Sequence, residues 1–238
     1  MPWTKVGEST FTLAAGTTGD TESKSLPGPP AAGDIVLVVT ACDSSANPAD
    51  NEGKITTSGY TNVESTEDLT NDPAMQVAIK VMGETPDTEV VIKQDLDNKK
   101  IAGLIQVWRG GHRVIPQDVT RAVTTGTTGM PNAPSVTPIT PGALVVAVGA
   151  LDDDDAASSV TAPSGYTNLL ANDTGLGSTV AGATVMVASK VLSAPAAEDP
   201  AVFGGTGDDT WRAVTLVLRP APSLFPAKSG MPPALRAR

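Results

Sequence analysis

Between Met75 and Val81 the chain alternates, with Met75, Val77, Ile79 and Val81 on one side of an extended segment and Gln76, Ala78 and Lys80 on the other. A period of two predicts a half-buried antiparallel strand, because successive side chains of extended backbone point to opposite faces. Ile35-Val36-Leu37-Val38-Val39 is apolar at every position and predicts a central strand covered on both sides. Across the first half, strands are expected at 9–15, 34–41, 60–64, 75–82, 88–93 and 101–108. No window carries a helical stripe, and Gly and Pro interrupt the gaps too often for a long helix.

The same pattern returns about 110 residues later. Gly16-Thr17-Thr18-Gly19 recurs as Gly126-Thr127-Thr128-Gly129, and the 35–39 run is echoed by Val145-Val146-Ala147-Val148, each after a glycine, Gly33 or Gly142. Ser58-Gly59-Tyr60-Thr61-Asn62 returns unchanged as Ser164-Gly165-Tyr166-Thr167-Asn168. Ala78-Ile79-Lys80-Val81-Met82 returns as Ala188-Ser189-Lys190-Val191-Leu192, and 104–109 corresponds to 214–219. The matches keep one order, with shifts between 106 and 110. Six or seven strands in each unit is the size of one β-sandwich. The fold class read here is all-β: two tandem, related antiparallel β-sandwich units, jelly-roll-like in outline. The alternative is that both halves pool their strands into one larger sandwich. The expected divisions are 1–110, 111–220 and an extended tail at 221–238.

Composition sharpens this picture. Hydrophobic residues make up 40%, enough for a substantial core, while 23 Gly and 20 Pro favour short strands joined by turns. A net charge of −10 lacks the positive surface that a duplex nucleic-acid binder needs, so no nucleic-acid partner is expected. The single cysteine, Cys42, permits neither an intrachain disulfide nor a cysteine zinc site. The opening Met1-Pro2-Trp3-Thr4-Lys5 has no apolar signal region, and the longest apolar runs are far too short to span a bilayer. The expectation is a soluble product of a cytoplasm with no membrane partner.

Candidate chemistry is sparse. Tyr60 and Tyr166 sit at matched places, where exposed rings would suit sugar stacking, but a core plug after a Ser-Gly turn is the simpler role. Trp108 and Trp211 fall in the last strands and are read as packing residues. Lys80, Lys190, Arg109 and Arg219 are read as solvent-facing charges that blunt sheet edges. Asp152-Asp153-Asp154-Asp155, with Asp208-Asp209, offers oxygen ligands of the kind calcium takes, but a solvated acidic loop fits better and no metal or other cofactor is expected. His112 is the only histidine and has no nucleophile motif beside it, so no catalytic residue is assigned and the chain is read as non-enzymatic. The tail carries Lys228, Arg236 and Arg238 and no acid, so of the net −10 the rest of the chain holds −13. Its prolines favour extended backbone, and Leu224, Phe225, Met231 and Leu235 need a cover. A disordered terminus is one reading; the other is an arm that docks onto a neighbouring subunit, with these seven residues as the candidate assembly contacts.

The segments Gly33-Asp34-Ile35-Val36-Leu37-Val38-Val39-Thr40-Ala41-Cys42-Asp43-Ser44-Ser45, Ser58-Gly59-Tyr60-Thr61-Asn62-Val63, Gln76-Val77-Ala78-Ile79-Lys80-Val81-Met82 and Leu104-Ile105-Gln106-Val107-Trp108-Arg109-Gly110 resemble a diffuse group of β-sandwich proteins encoded by tailed bacteriophages and prophage-like elements. Residues 131–150 and 211–220 resemble the same group more closely, and the likeness covers about 30–220. The resemblance implies a virion structural component, a head decoration protein or an accessory piece of the tail. It would be made in the host cytoplasm and carried on the particle as a homo-oligomer, with capsid or tail subunits as partners. A host-surface glycan-binding module of a phage tail is the alternative. No functional residues carry over from these fold-forming motifs.

Overall fold

The computed structural model describes residues 2–14, 20–43, 53–65, 73–94, 100–152, 157–175 and 182–222. Among the described residues there are thirteen strands, one 3-10 turn at Ala157–Ser159 and no α-helix, so the protein is all-β. The first half contains β1 (Thr4–Leu13), β2 (Asp20–Ser25), β3 (Ile35–Cys42), β4 (Lys54–Ile55), β5 (Thr61–Ser65), β6 (Ala74–Val81), β7 (Glu89–Gln94) and β8 (Ile101–Arg109). The second contains β9 (Ala122–Gly126), β10 (Leu144–Leu151), β11 (Thr167–Asp173), β12 (Thr184–Val191) and β13 (Trp211–Leu218). They form two five-stranded sheets, β1-β8-β3-β6-β5 and β11-β12-β10-β13-β9, and a three-stranded sheet, β2-β7-β4; every pairing is antiparallel.

Written from the other edge, the second five-stranded sheet is β9-β13-β10-β12-β11, the first sheet repeated strand for strand. Ile35 lies opposite Val81 and Trp108, and Leu144 lies opposite Val191 and Leu218, so equivalent residues keep equivalent partners. Both halves break register at the same place, between Asn62 and Glu64 and between Thr167 and Leu170. Gly33 and Gly142 take φ of 86° and 80°, a region that costs a Cβ-bearing residue, and each donates its N–H at 2.7 Å, to Met82 O and Leu192 O respectively. The Gly-Thr-Thr-Gly match does not follow this equivalence. Leu13 faces Ile101 as Gly126 faces Trp211, placing β1 and β9 at a shift of 113 instead of 110. Residues 15–19 lie outside the described residues.

The two five-stranded sheets bury their like faces against each other. Ile35, Leu37, Val39, Val77, Ile79 and Leu104 from one meet Leu144, Val146, Val148, Val187, Val214 and Leu216 from the other. Each such side chain removed from water contributes about 1.5–3 kcal/mol before entropy is charged against it. The contact is reciprocal: β11 of the second half lies against β1 and β8 of the first, while Glu64 on β5 reaches Arg212 on β13. Outside this layer, the three-stranded sheet covers the first half through Leu26, Ile55, Val90 and Ile92. Irregular chain covers the second half through Ala133, Val136, Val160 and Phe203.

This stacking confirms the doubly covered β3, whose eight residues are all buried, and corrects the half-buried reading of β6. Met75, Val77 and Ile79 face the central layer, but Gln76 and Ala78 are buried beneath the third sheet. Gln76 is accommodated because it accepts from Ile55 N–H at 2.7 Å and donates to Asn62 Oδ1 at 2.6 Å.

Candidate functional site

The matched tyrosines sit at the rims of the two outer cores. The Tyr166 side chain is buried in the cluster under the irregular layer, and the half-buried Tyr60 packs on the cluster under the third sheet. Lys80 Nζ lies 5.5 Å from the Tyr60 ring centre and Lys190 Nζ 5.7 Å from that of Tyr166, each over the face where a cation is attracted. A carboxylate completes each corner: Asp87 at 2.5 Å from Lys80 and Glu198 at 2.8 Å from Lys190. Burial, and after it the charge of Asp87, raises the Tyr60 phenol above its ordinary range; burial, and after it Glu198, does the same to Tyr166. Tyr166 thus plugs its core, as the simpler reading expects, while Tyr60 packs at the rim of the other.

The basic residues read as solvent-facing, edge-blunting charges are each ion-paired, although Arg109 itself stays exposed. Lys80 and Lys190 stand on β6 and β12, which are interior strands of their sheets, not edges. Arg109 donates from Nε and Nη2 to the two oxygens of buried Asp34 at 2.9 and 2.8 Å. Its guanidinium pKa is raised, first by that hydrogen bond and then by the charge of Asp34. Arg219 donates from Nε to buried Asp118 at 3.1 Å. Burial alone would raise the Asp118 carboxyl, but hydrogen bonds from Thr140 Oγ1, Ile139 N–H, Thr140 N–H and Arg219 hold it below its usual value. The partners Asp34 and Asp118 do not occupy repeated positions, which is why spacing alone did not reveal these pairs. Buried Glu64 accepts from Arg121 Nε at 2.5 Å and Arg212 Nη2 at 3.0 Å, tying the two halves together.

Trp108 and Trp211 are buried as read, the first donating to Gln106 Oε1 at 3.1 Å and the second to Thr128 O at 2.9 Å. His112 accepts at Nδ1 from the N–H groups of Val114 and Ile115, at 3.2 and 3.1 Å, and so shapes a turn. Of the acidic run, Asp153, Asp154 and Asp155 lie outside the described residues; Asp152 accepts from Thr210 Oγ1 at 3.2 Å. Among the described residues no three acidic, histidine or cysteine side chains gather as a metal site would require. Leu224, Phe225, Lys228, Met231, Leu235, Arg236 and Arg238 also lie outside the described residues.

Grooves open at one end of the sheets. At the end of the sheets where β3 and β10 begin and β8 and β13 finish, two grooves flank the segment Pro220-Ala221-Pro222. One, of about 590 Å³, is lined by Ala31 to Asp34 and by Arg109 to Arg113. The other, of about 570 Å³, is lined by Pro2, Trp3, Pro141, Val191, Pro220 and Pro222, with Thr140, Gly142 and Ala221 between them. Trp3 is fixed by donating its indole N–H to Gly142 O at 2.8 Å. Val191 is 52% exposed in this second groove. His112 and Asp118 hold nearby turns so that Val114 is 81%, Ile115 50% and Ile139 62% exposed. Val123 and Val202 are exposed elsewhere, but four of the six exposed large apolar side chains lie near this end, and such a grouping suits contact with another surface. The grooves draw on five separate stretches of Pro, Gly and Ala, and no contiguous motif announces them.

No family model, curated protein or solved structure matches this chain.

Proposed function

We propose that the protein is a non-enzymatic structural component of a bacteriophage virion, a head decoration protein or an accessory tail protein. In this role it attaches through the apolar end face and the C-terminal arm that leaves from it. The observation that carries this reading is the division of labour among side chains. Lys80, Lys190, Arg109, Arg219, Glu64 and Asp118 are engaged in holding the β framework, while Val114, Ile115, Ile139 and Val191 stand exposed near the end face that Pro220 to Pro222 cross. The resemblance of residues 30–220 to phage β-sandwich proteins names the setting. Such a protein has capsid or tail subunits as partners and needs no cofactor. Mass spectrometry of purified virions tests the proposal: the chain is expected in multiple copies per particle, and its absence from the particle overturns the reading.

A further inference from the structure

We propose that the groove walled by Trp3, Pro141, Val191 and Pro220 is the receptor for residues 223–238 of a second copy of this chain; the inference rests on the assembly role proposed above. The path of the chain supports it first. Beyond β13, Pro220 bridges to Gly111 and Ala221 donates its N–H to Gly110 O at 2.7 Å, so the backbone is held extended as it leaves the body. Pro220 and Pro222 further restrict it. Pro220, Ala221 and Pro222 line the rim of this groove, so the chain that follows starts at the end face where a neighbouring copy would meet it. The sixteen residues that follow would span about 50 Å if fully extended, at about 3.1 Å per residue, enough to reach a neighbouring copy.

Chemistry supports it second. The groove offers an indole ring, prolines and an exposed valine, the surface on which extended proline-bearing segments dock. The arm supplies Leu224-Phe225-Pro226 and Met231-Pro232-Pro233-Ala234-Leu235 as apolar anchors. The groove's volume lies within the roughly 300–1,000 Å³ of pockets that seat ligand-sized groups. Charge separates the two grooves: Arg113 and the Asp34-paired Arg109 line the other one, while the groove beside Trp3 has no charged group on its walls. The −13 on the rest of the partner attracts the arm at longer range.

The test uses the full chain throughout. Sedimentation equilibrium of the unaltered protein is expected to show self-association that grows with concentration. Val191→Lys spoils the groove, and the double substitution Leu224→Ser with Phe225→Ser spoils the arm. Each alone is expected to weaken association at least tenfold with its thermal melting unchanged. Mixing the two variants is expected to restore one-to-one pairing, because one partner keeps a groove and the other an arm. An unaltered protein that stays monomeric at every concentration overturns the inference, as does association untouched by the substitutions. Failure of the mixture to pair overturns it too. Should Val191→Lys not fold, Val191→Ser reads out the same groove. Pairing in a chain absent from virions would sink the virion role alone, and a virion-borne chain that never pairs would sink this inference alone.

Discussion

On its outer face the first half wears a three-stranded sheet and the second half lengths of irregular chain, although the five-stranded sheets beneath them agree strand for strand. The first cover is β2, β7 and β4 paired along their edges. The second is held by backbone pairing at isolated points, Val136 with Glu198 and Thr161 with Gly204. Pro131, Pro134, Pro138, Pro163 and Pro200 explain the difference, since proline lacks the N–H that a continuous ladder requires. What the inner sheet demands is apolar contact, and one fully buried Phe203 supplies much of it. The pair of halves teaches that burial is indifferent to whether the covering backbone is a strand, provided its polar groups find partners.

The largest effect is expected at the layer both halves share. Val146→Asp places an unpaired charge where the side chain has no exposure, and it should cost more than about 4 kcal/mol and leave no cooperative melting by circular dichroism. A normal melt would mean that the halves do not depend on each other. Next come the covers: Phe203→Ala should cost about 3–5 kcal/mol and Ile92→Ala about 2–4 kcal/mol in denaturant titrations. A negligible loss at Phe203 would show that the irregular layer contributes nothing. Glu64→Gln should cost about 1–3 kcal/mol, reduced from the fully buried case because Arg121 is 37% exposed.

Lys80→Met and Lys190→Met should each cost about 1 kcal/mol and sum in the double variant, since the two corners serve different cores; clear non-additivity would break the parallel. The smallest effect at neutral pH concerns Tyr60 and Tyr166. Their phenols are raised in the folded chain, so the unfolded chain releases these protons first, at about pH 10. Stability is therefore complete below about pH 10 and falls as the pH climbs beyond it. With two tyrosines in the chain, phenolate absorbance should appear only with alkaline unfolding. Reversible titration of both phenols near pH 10 in the folded protein would contradict the packing of Tyr60 and the burial of Tyr166.

The repeat and the apolar strands were legible because each signal is local. β3 opens with five apolar residues, Ile35 to Val39, and the Ser-Gly-Tyr-Thr-Asn turns recur intact. β2 was not legible: Asp20-Thr21-Glu22-Ser23-Lys24-Ser25 is polar on both faces, and only the following Leu26 enters the core. Two-residue β4 is too short to show a period. The pairing of Arg109 and Arg219 depends on Asp34 and Asp118, whose sequence distances of 75 and 101 residues carry no pattern. The Gly-Thr-Thr-Gly coincidence shows the converse, similarity of letters three places away from similarity of position.

The reciprocal meeting of the two sheets has a consequence for how the molecule behaves on dilution. Equivalent faces that touch in this mutual way are what a two-fold dimer uses, and a dimer comes apart as its concentration falls. Here a peptide link holds the mates together at constant local abundance, so the joint survives at any dilution. Each outer surface has thereby been released from matching its twin, and only the first kept its ladder.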